Sequence, residues 1–227
     1  MGSRITALAL GDKIFKIKTL LEYKGHPMAN QMIHGIILST DNAALKGNDV
    51  LIEFTLPEAT IQNLEACVKH KVKMIIGTTG LNPDQVKRIK SASKKIPIVF
   101  SSNMSVGVNL VFKLVEMAGA KTGKNYTINI VEAHHIHKKD APSGTAKTLA
   151  EVAEAASGQK VQDIKSIREG EIIGDHDVIF ESPEDMITIR HHDKNRDIFA
   201  KGSLVAAKFL AKKSKGLFSM QDVLGLK

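Results

Sequence analysis

The segment EAHHIHKKDAPSGTAKTLAE, residues 132–151, sets His134, His135 and His137 beside Lys138 and Lys139, then runs through Pro142, Ser143, Gly144 and Thr145 into a helical pattern. Histidine exchanges protons near neutral pH, and a helix start presents unpaired amides at its positive end. Asp140 and Ser143 can accept hydrogen bonds from the first of those amides. Ser143, Gly144 and Thr145 offer hydroxyls and close backbone approach, and the lysines add charge that is stronger in a partly dry cleft than in water. The combination predicts a site that binds a carboxylate and delivers a proton beside it.

Other readings of the same residues stay open at this point. The histidines could ligate a metal, but their spacing fits no standard zinc motif and neither a cysteine nor an HExxH partner is nearby, so no metal is expected. Ser143 could be a nucleophile, but DAPSGTA is not the GxSxG elbow and no acyl-transfer companion stands near it. The histidines could also be ordinary surface or capped residues.

Upstream elements must position this cluster. NDVLIEFT (residues 48–55), KMIIGTT and IPIVFSS read as short buried strands. Between them PEATIQNLEACVKHK opens on Pro57, suited to a first helical turn, and carries Ile61, Leu64 and Val68 on one face; LNPDQVKRIKSASKK opens on Asn82 as N-cap and Pro83. Strand, helix, strand, helix, strand with tight connections predicts a parallel sheet in an α/β fold. Ligands bind beyond the carboxyl ends of such strands, which singles out Thr55-Leu56-Pro57, Gly77-Thr78-Thr79-Gly80 and Ser101-Ser102-Asn103-Met104 as a cofactor edge. From residue 105 the texture changes: SVGVNLVFKLVEMAGA predicts a helix, YTINIVEAHH a strand, SGTAKTLAEVAEAAS a helix, and DVIFES with MITIRHH an antiparallel pair across SPED. This second segment reads as α+β, and the final stretch GSLVAAKFLAKKSKGLFSMQDVLGL as helix.

Composition narrows the function classes. The 227 residues, 43% hydrophobic, suffice for one large domain or two small ones. The formal net charge of +8 favours anionic partners, nucleic acid or small polycarboxylate alike. Tryptophan is absent and the lysines are scattered, so nucleic-acid binding is not expected. No apolar run approaches the roughly 18 residues of a membrane span, the N-terminal residues do not resemble a secretory leader, and Cys67 stands alone. The expected compartment is therefore a reducing cytoplasm.

EAHHIHKKDAPSGTA closely resembles the signature of the 4-hydroxy-tetrahydrodipicolinate (dihydrodipicolinate) reductases of lysine and diaminopimelate biosynthesis. FTLPEAT, IGTTGL, SSNMSVGVNL and GLFSMQDVLGL resemble further motifs of that family in the same order, so the resemblance covers essentially the whole chain. It implies a Rossmann-type parallel-sheet domain over 1–104, completed by 197–227, and an α+β substrate and tetramerisation domain over 105–196. It also implies an NAD(P)H-dependent oxidoreductase acting on a small cyclic dicarboxylate, assembled as a homotetramer. Carried over by motif, His134 is the proton donor, and Lys138 assists protonation and binds a carboxylate. His135, Ser143, Gly144 and Thr145 hold the carboxylates. Gly77, Thr78 and Thr79 contact the cofactor, as do Ser102, Asn103 and Met104 beside the nicotinamide.

Two departures from the family pattern carry expectations of their own. Family members begin with a strand and a glycine-rich turn; Met1-Gly2-Ser3-Arg4 resembles only the tail of that turn, as if the start were an internal methionine or the chain were truncated. The region of residues 168–174, REGEIIG, is shorter than in many relatives, which bears on oligomer contacts and substrate closure. Glu22 matches the acid that binds adenosine ribose hydroxyls in Rossmann proteins, or is an ordinary surface acid. Tyr23 follows where some relatives have arginine, so NADH is expected to serve at least as well as NADPH. The alternatives to a reductase are a catalytically impaired dicarboxylate-binding scaffold of the same fold and a hydride-transfer enzyme acting on a different imine or amino acid.

Overall fold

The computed structural model describes residues 1–226, which divide into two compact units: residues 1–101 with 200–223, and residues 102–199 with 224 onward. The architecture is α/β, with a Rossmann-like parallel sheet in the first unit and a mixed sheet in the second.

In the first unit, helix α1 (Gly2–Leu10) precedes a small sheet of β1 (Leu20–Leu21), β2 (Met32–Ile33) and β3 (Ile36–Ser39), in which β1 runs parallel and β2 antiparallel to β3. The parallel sheet follows with β4 (Val50–Glu53), β5 (Lys73–Ile76) and β6 (Pro97–Phe100), joined by α2 (Pro57–His70) and α3 (Pro83–Ala92). Strands buried on both faces have no reason to alternate. Met74, Ile75, Ile76, Ile98 and Val99 are accordingly all fully buried. The helices start where the chain provides a start: Pro57 lies in the first turn of α2, and Asn82 and Gln85 form a reciprocal capping box on α3.

The chain returns to this unit through α6 (Asp197–Ala211), whose first residues belong to the second unit. Lys73 Nζ donates to the carbonyls of Leu210 and Ala211, satisfying orphan acceptors at the end of α6. A correction concerns the last stretch, expected as helix throughout: Gly216–Phe218 is a strand, β11, parallel to β6, before α7 (Met220–Leu224). The sheet order is therefore β11-β6-β5-β4.

The second unit packs α4 (Val106–Thr122) and α5 (Gly144–Ser157) on a sheet ordered β10-β9-β7-β8, from β7 (Thr127–His134), β8 (Asp163–Arg168), β9 (Asp175–Glu181) and β10 (Met186–His192). Strands β9 and β10 pair antiparallel, as the SPED turn predicts, and β8 pairs parallel to β7. Among the described residues no helix is long and apolar enough to cross a membrane.

Candidate active site

The histidine segment is placed by the alternation of β7. Ile128, Ile130, Glu132 and His134 share its buried face, the first two in the apolar core against α4 and α5, the last two at its polar end. Register carries that polar end across the whole sheet: Glu132 stands opposite Ser166 of β8 and His176 of β9, and His176 stands opposite His191 of β10. His134 is paired with Arg168.

Glu132 is the hub. Its Oε2 lies 2.5 Å from His134 Nδ1; Arg168 donates to both carboxylate oxygens, Nη1 to Oε2 at 3.0 Å and Nη2 to Oε1 at 2.8 Å; the Ser143 amide donates to Oε1 at 3.2 Å. Burial pushes the Glu132 carboxyl up, but hydrogen bonds from Arg168, Ser166 and His134 outweigh it and bring the pKa down to about 2. The group is thus a fixed anion, held by a bidentate guanidinium. It orients His134 through Nδ1 and leaves Nε2 as the nitrogen able to pass a proton outward. Burial lowers the His134 pKa, Glu132 opposes the shift, and Lys138 and Arg168 reinforce it.

Helix α5 begins as its sequence predicts, with Ser143 as N-cap accepting from the Ala146 amide. Since Ser143 N goes to Glu132 and Ala146 N to Ser143 Oγ, the amides of Gly144 and Thr145 are those left at the positive end for an anion. Asp140 corrects an expectation: among the described residues its side chain accepts from no amide of α5 but ion-pairs with Lys138 Nζ at 2.8 Å, and its carbonyl accepts from Arg168. Lys138 is half-buried beside the turn. His135 Nε2 lies 2.9 Å from Arg196 Nη2, and the exposed His137 reaches Glu171 at 3.2 Å. Ser143 Oγ meets the buried His176 Nε2 at 3.2 Å, and the His176 ring sits edge-on to His134. Burial and the nearby His134 push the His176 pKa down to about 4, so it is neutral near pH 7.

Gly174 closes the far side. A Cβ there would lie 2.6 Å from Asp193 Oδ2 and 3.3 Å from His134 Nε2, so the backbone approaches both only because the residue is glycine. Burial and the charge of Asp175 raise the Asp193 pKa to about 6. Glu132, Arg168, His176 and Asp193 went unrecognised in the sequence. A signal for the first existed: two residues before His134 on a period-two strand, Glu132 must share its face.

The residues expected at a cofactor fall in both units. In the first, Gly77, Thr78 and Thr79 follow β5, where the Phe54 ring occupies the space a Gly77 side chain would need, its Cε1 2.3 Å from such a Cβ. Glu22 is exposed immediately after β1, its amide bonded to the Ser39 carbonyl. In the second, the structure brings Ser102 and Asn103 against the start of α5: Ser102 Oγ lies 3.3 Å from Thr148 Oγ1, and Asn103 Nδ2 donates to Thr145 Oγ1 at 3.1 Å. Met104 is buried. Among the described residues no group of three or more histidine, cysteine, aspartate or glutamate side chains could hold a metal ion.

Comparison with known proteins gives concordant matches. Residues 1–104 match the family model described as dihydrodipicolinate reductase, N-terminus, and residues 107–224 that described as dihydrodipicolinate reductase, C-terminus. The 4-hydroxy-tetrahydrodipicolinate reductase of Paraburkholderia phymatum is 40% identical over 254 residues, covering 100% of this chain and 96% of the relative. That of Nitrosomonas eutropha is 42% identical over 254 residues, covering 100% and 95%. In fold, the chain is similar to a dipicolinate-bound dihydrodipicolinate reductase from Paenisporosarcina sp. TG-14, with a TM-score of 0.80 at 20% identity over 97% of this chain and 94% of that one. An amine dehydrogenase from Mycobacterium smegmatis shares the fold more loosely, with a TM-score of 0.65 at 9% identity over 96% and 92%.

Proposed function

We propose that this chain, which belongs to the dihydrodipicolinate reductase family, reduces 4-hydroxy-tetrahydrodipicolinate to tetrahydrodipicolinate with a nicotinamide dinucleotide, a step of lysine and diaminopimelate biosynthesis. The observation that carries the reading is the Glu132–His134 pair beside the open amides of α5, a fixed acid donor next to an anion cradle. The scaffold alternative is not favoured, because the likeness to curated reductases runs through the full chain.

Loss of the 4-hydroxyl as water leaves a ring with a conjugated C=C–C=N system, and bound NADH or NADPH would supply a hydride to one end of it. Negative charge then develops at the other end, where His134 Nε2 gives up a proton and lowers the barrier. His134 is held largely neutral by burial and two nearby cations. A dicarboxylate dianion offsets those cations, so substrate binding itself favours the protonated imidazole. Lys138, exchanging Asp140 for a substrate carboxylate, supplies one contact, and His135, Ser143 and the Gly144 and Thr145 amides supply the others. Two anchored carboxylates fix the ring relative to His134, which converts a collision into an oriented encounter.

The strand-end residues suit a dinucleotide: Gly77, Thr78 and Thr79 are small and follow a parallel strand, and the exposed Glu22 carboxylate suits ribose hydroxyls. Ser102, Asn103 and Met104 are assigned to the nicotinamide end. Without a cation at Tyr23 a 2′-phosphate lacks a natural partner. An NADH titration followed by nicotinamide fluorescence, with and without pyridine-2,6-dicarboxylate, tests the reading. Tight binding strengthened by the dicarboxylate, and NADH bound at least as well as NADPH, are expected. Failure of both dinucleotides to bind would overturn the reductase assignment, and a strong NADPH preference would overturn the role given to Tyr23.

The location that fits is the cytoplasm and the assembly a homotetramer. Val106, Leu110, Leu114 and Met117 line an exposed stripe of α4, and Met186 and Ile187 are exposed on the edge strand β10. Apolar surface so arranged suits a subunit interface. Sedimentation at micromolar concentration should give four times the 24.7 kDa chain mass; a monomer would refute it.

A further inference from the structure

The first unit buries a carboxylate that the reaction does not use. Glu53 ends β4, in register with Ile76 of β5, and is 4% exposed. Its partners are all hydroxyls and an amide. Oε2 accepts from Thr55 Oγ1 at 2.5 Å, Thr78 Oγ1 at 2.9 Å, and Thr55 N and Thr60 Oγ1 each at 3.2 Å, while Oε1 accepts from Thr60 Oγ1 at 3.1 Å. Thr78 Oγ1 in turn accepts from Thr55 N at 2.8 Å. The turn after β4, the first turn of α2 and the turn after β5 therefore meet on one side chain. The backbone closes the same ring, with Gly77 N donating to the Glu53 carbonyl at 2.9 Å.

A buried carboxylate without a cationic partner is costly. Burial pushes the Glu53 pKa up, and the bonds from Thr55, Thr78 and Thr60 pull it back. An apolar side chain at this position would avoid that cost, so the return on the carboxylate is geometric: a strong acceptor that fixes several donors at once. Phe54 fixes the neighbouring residue from its own side, its ring filling the space beside Gly77.

We propose that Glu53 is a positioning residue for cofactor binding, its carboxylate tying Thr78 and the Gly77–Thr79 turn to the end of β4 so that the turn is already formed when the dinucleotide arrives. The proposal rests on the assignment of that turn to the cofactor. Glu53 touches the turn, not the cofactor, and acts by removing an ordering cost from binding.

The test is Glu53→Gln, which keeps the shape and one acceptor oxygen but removes the negative charge and turns the other oxygen into a donor, so the hydroxyls of Thr55, Thr60 and Thr78 no longer converge on a carboxylate. Its dissociation constant for NADH should rise about tenfold, while calorimetric binding of pyridine-2,6-dicarboxylate alone stays at the wild-type value. Glu53→Asp, retaining the carboxylate, should recover part of the loss. Wild-type NADH affinity in Glu53→Gln would overturn the proposal, as would parallel loss of NADH binding, dicarboxylate binding and melting temperature, which marks a merely structural role. Should Glu53→Gln not fold, Thr60→Val removes one donor from the same carboxylate and must show the selective loss in smaller measure; unchanged NADH affinity there overturns the proposal equally. Wild-type protein that binds neither dinucleotide would instead overturn the cofactor assignment beneath it.

Discussion

His134→Gln is expected to lower kcat by about 10²–10⁴-fold, the range lost with a general acid, with the affinity for pyridine-2,6-dicarboxylate close to wild type. Glutamine can still donate to the Glu132 carboxylate, as Nδ1 does in the 2.5 Å contact, so the neighbours stay put while the transferable proton disappears. A loss confined to kcat is the mark of an interaction made in the transition state. The pH profile adds a second reading. The active form carries the proton on His134, so wild-type activity should fall as pH rises through the histidine pKa of the substrate complex, and that limb should vanish in the variant. Comparable turnover in His134→Gln would remove this residue from the mechanism.

Glu132→Ala should strongly destabilise the second unit. It leaves the Arg168 guanidinium and the Ser143 amide without their shared acceptor at the polar end of the core. Removing one member of a buried pair typically costs about 3–5 kcal/mol. Glu132→Gln is the gentler probe. The folded-state pKa of about 2 lies below the ordinary 4.5, so the carboxylate contributes stability that is present above pH 4.5 and lost as pH falls toward 2. That shift corresponds to about 3 kcal/mol. The gap in unfolding free energy between wild type and Glu132→Gln should therefore narrow through that acid window, and a gap independent of pH would refute the charge-based account. At neutral pH the same variant withdraws the group that raises the His134 pKa, and the basic limb of its activity profile should move to lower pH.

Much of this organisation is legible in the chain itself, for reasons that differ by element. Strands β5 and β6 announce themselves as unbroken apolar runs because both faces are buried, and α3 because Asn82 and Pro83 mark its start. Strand β8, DIKSIR, is polar and mostly half-buried, so nothing local marks it; its identity comes from pairing with β7. Strand β11 has only three residues and depends on β6. The site divides in the same way. His134, Lys138 and the Ser143 cap stand out by clustering within one segment. Arg168 and His176 reach Glu132 only through parallel and antiparallel register, which residue spacing does not encode. Asp140 was misread because an acid before a helix start looks like a cap, whereas Lys138, two residues earlier, captures it.

The alternation of β7 has one more consequence. Ile128 and Ile130 reach the core by the same period that turns Glu132 and His134 inward. A one-residue slip against β9 would rotate all four to the opposite face together. Mispairing therefore cannot yield a well-packed protein with a disarmed site: the error that spoils the acid also exposes the isoleucines, and the faulty molecule becomes recognisable to chaperones and proteases by its greasy surface. As far as this strand is concerned, specific activity doubles as a count of correctly threaded molecules.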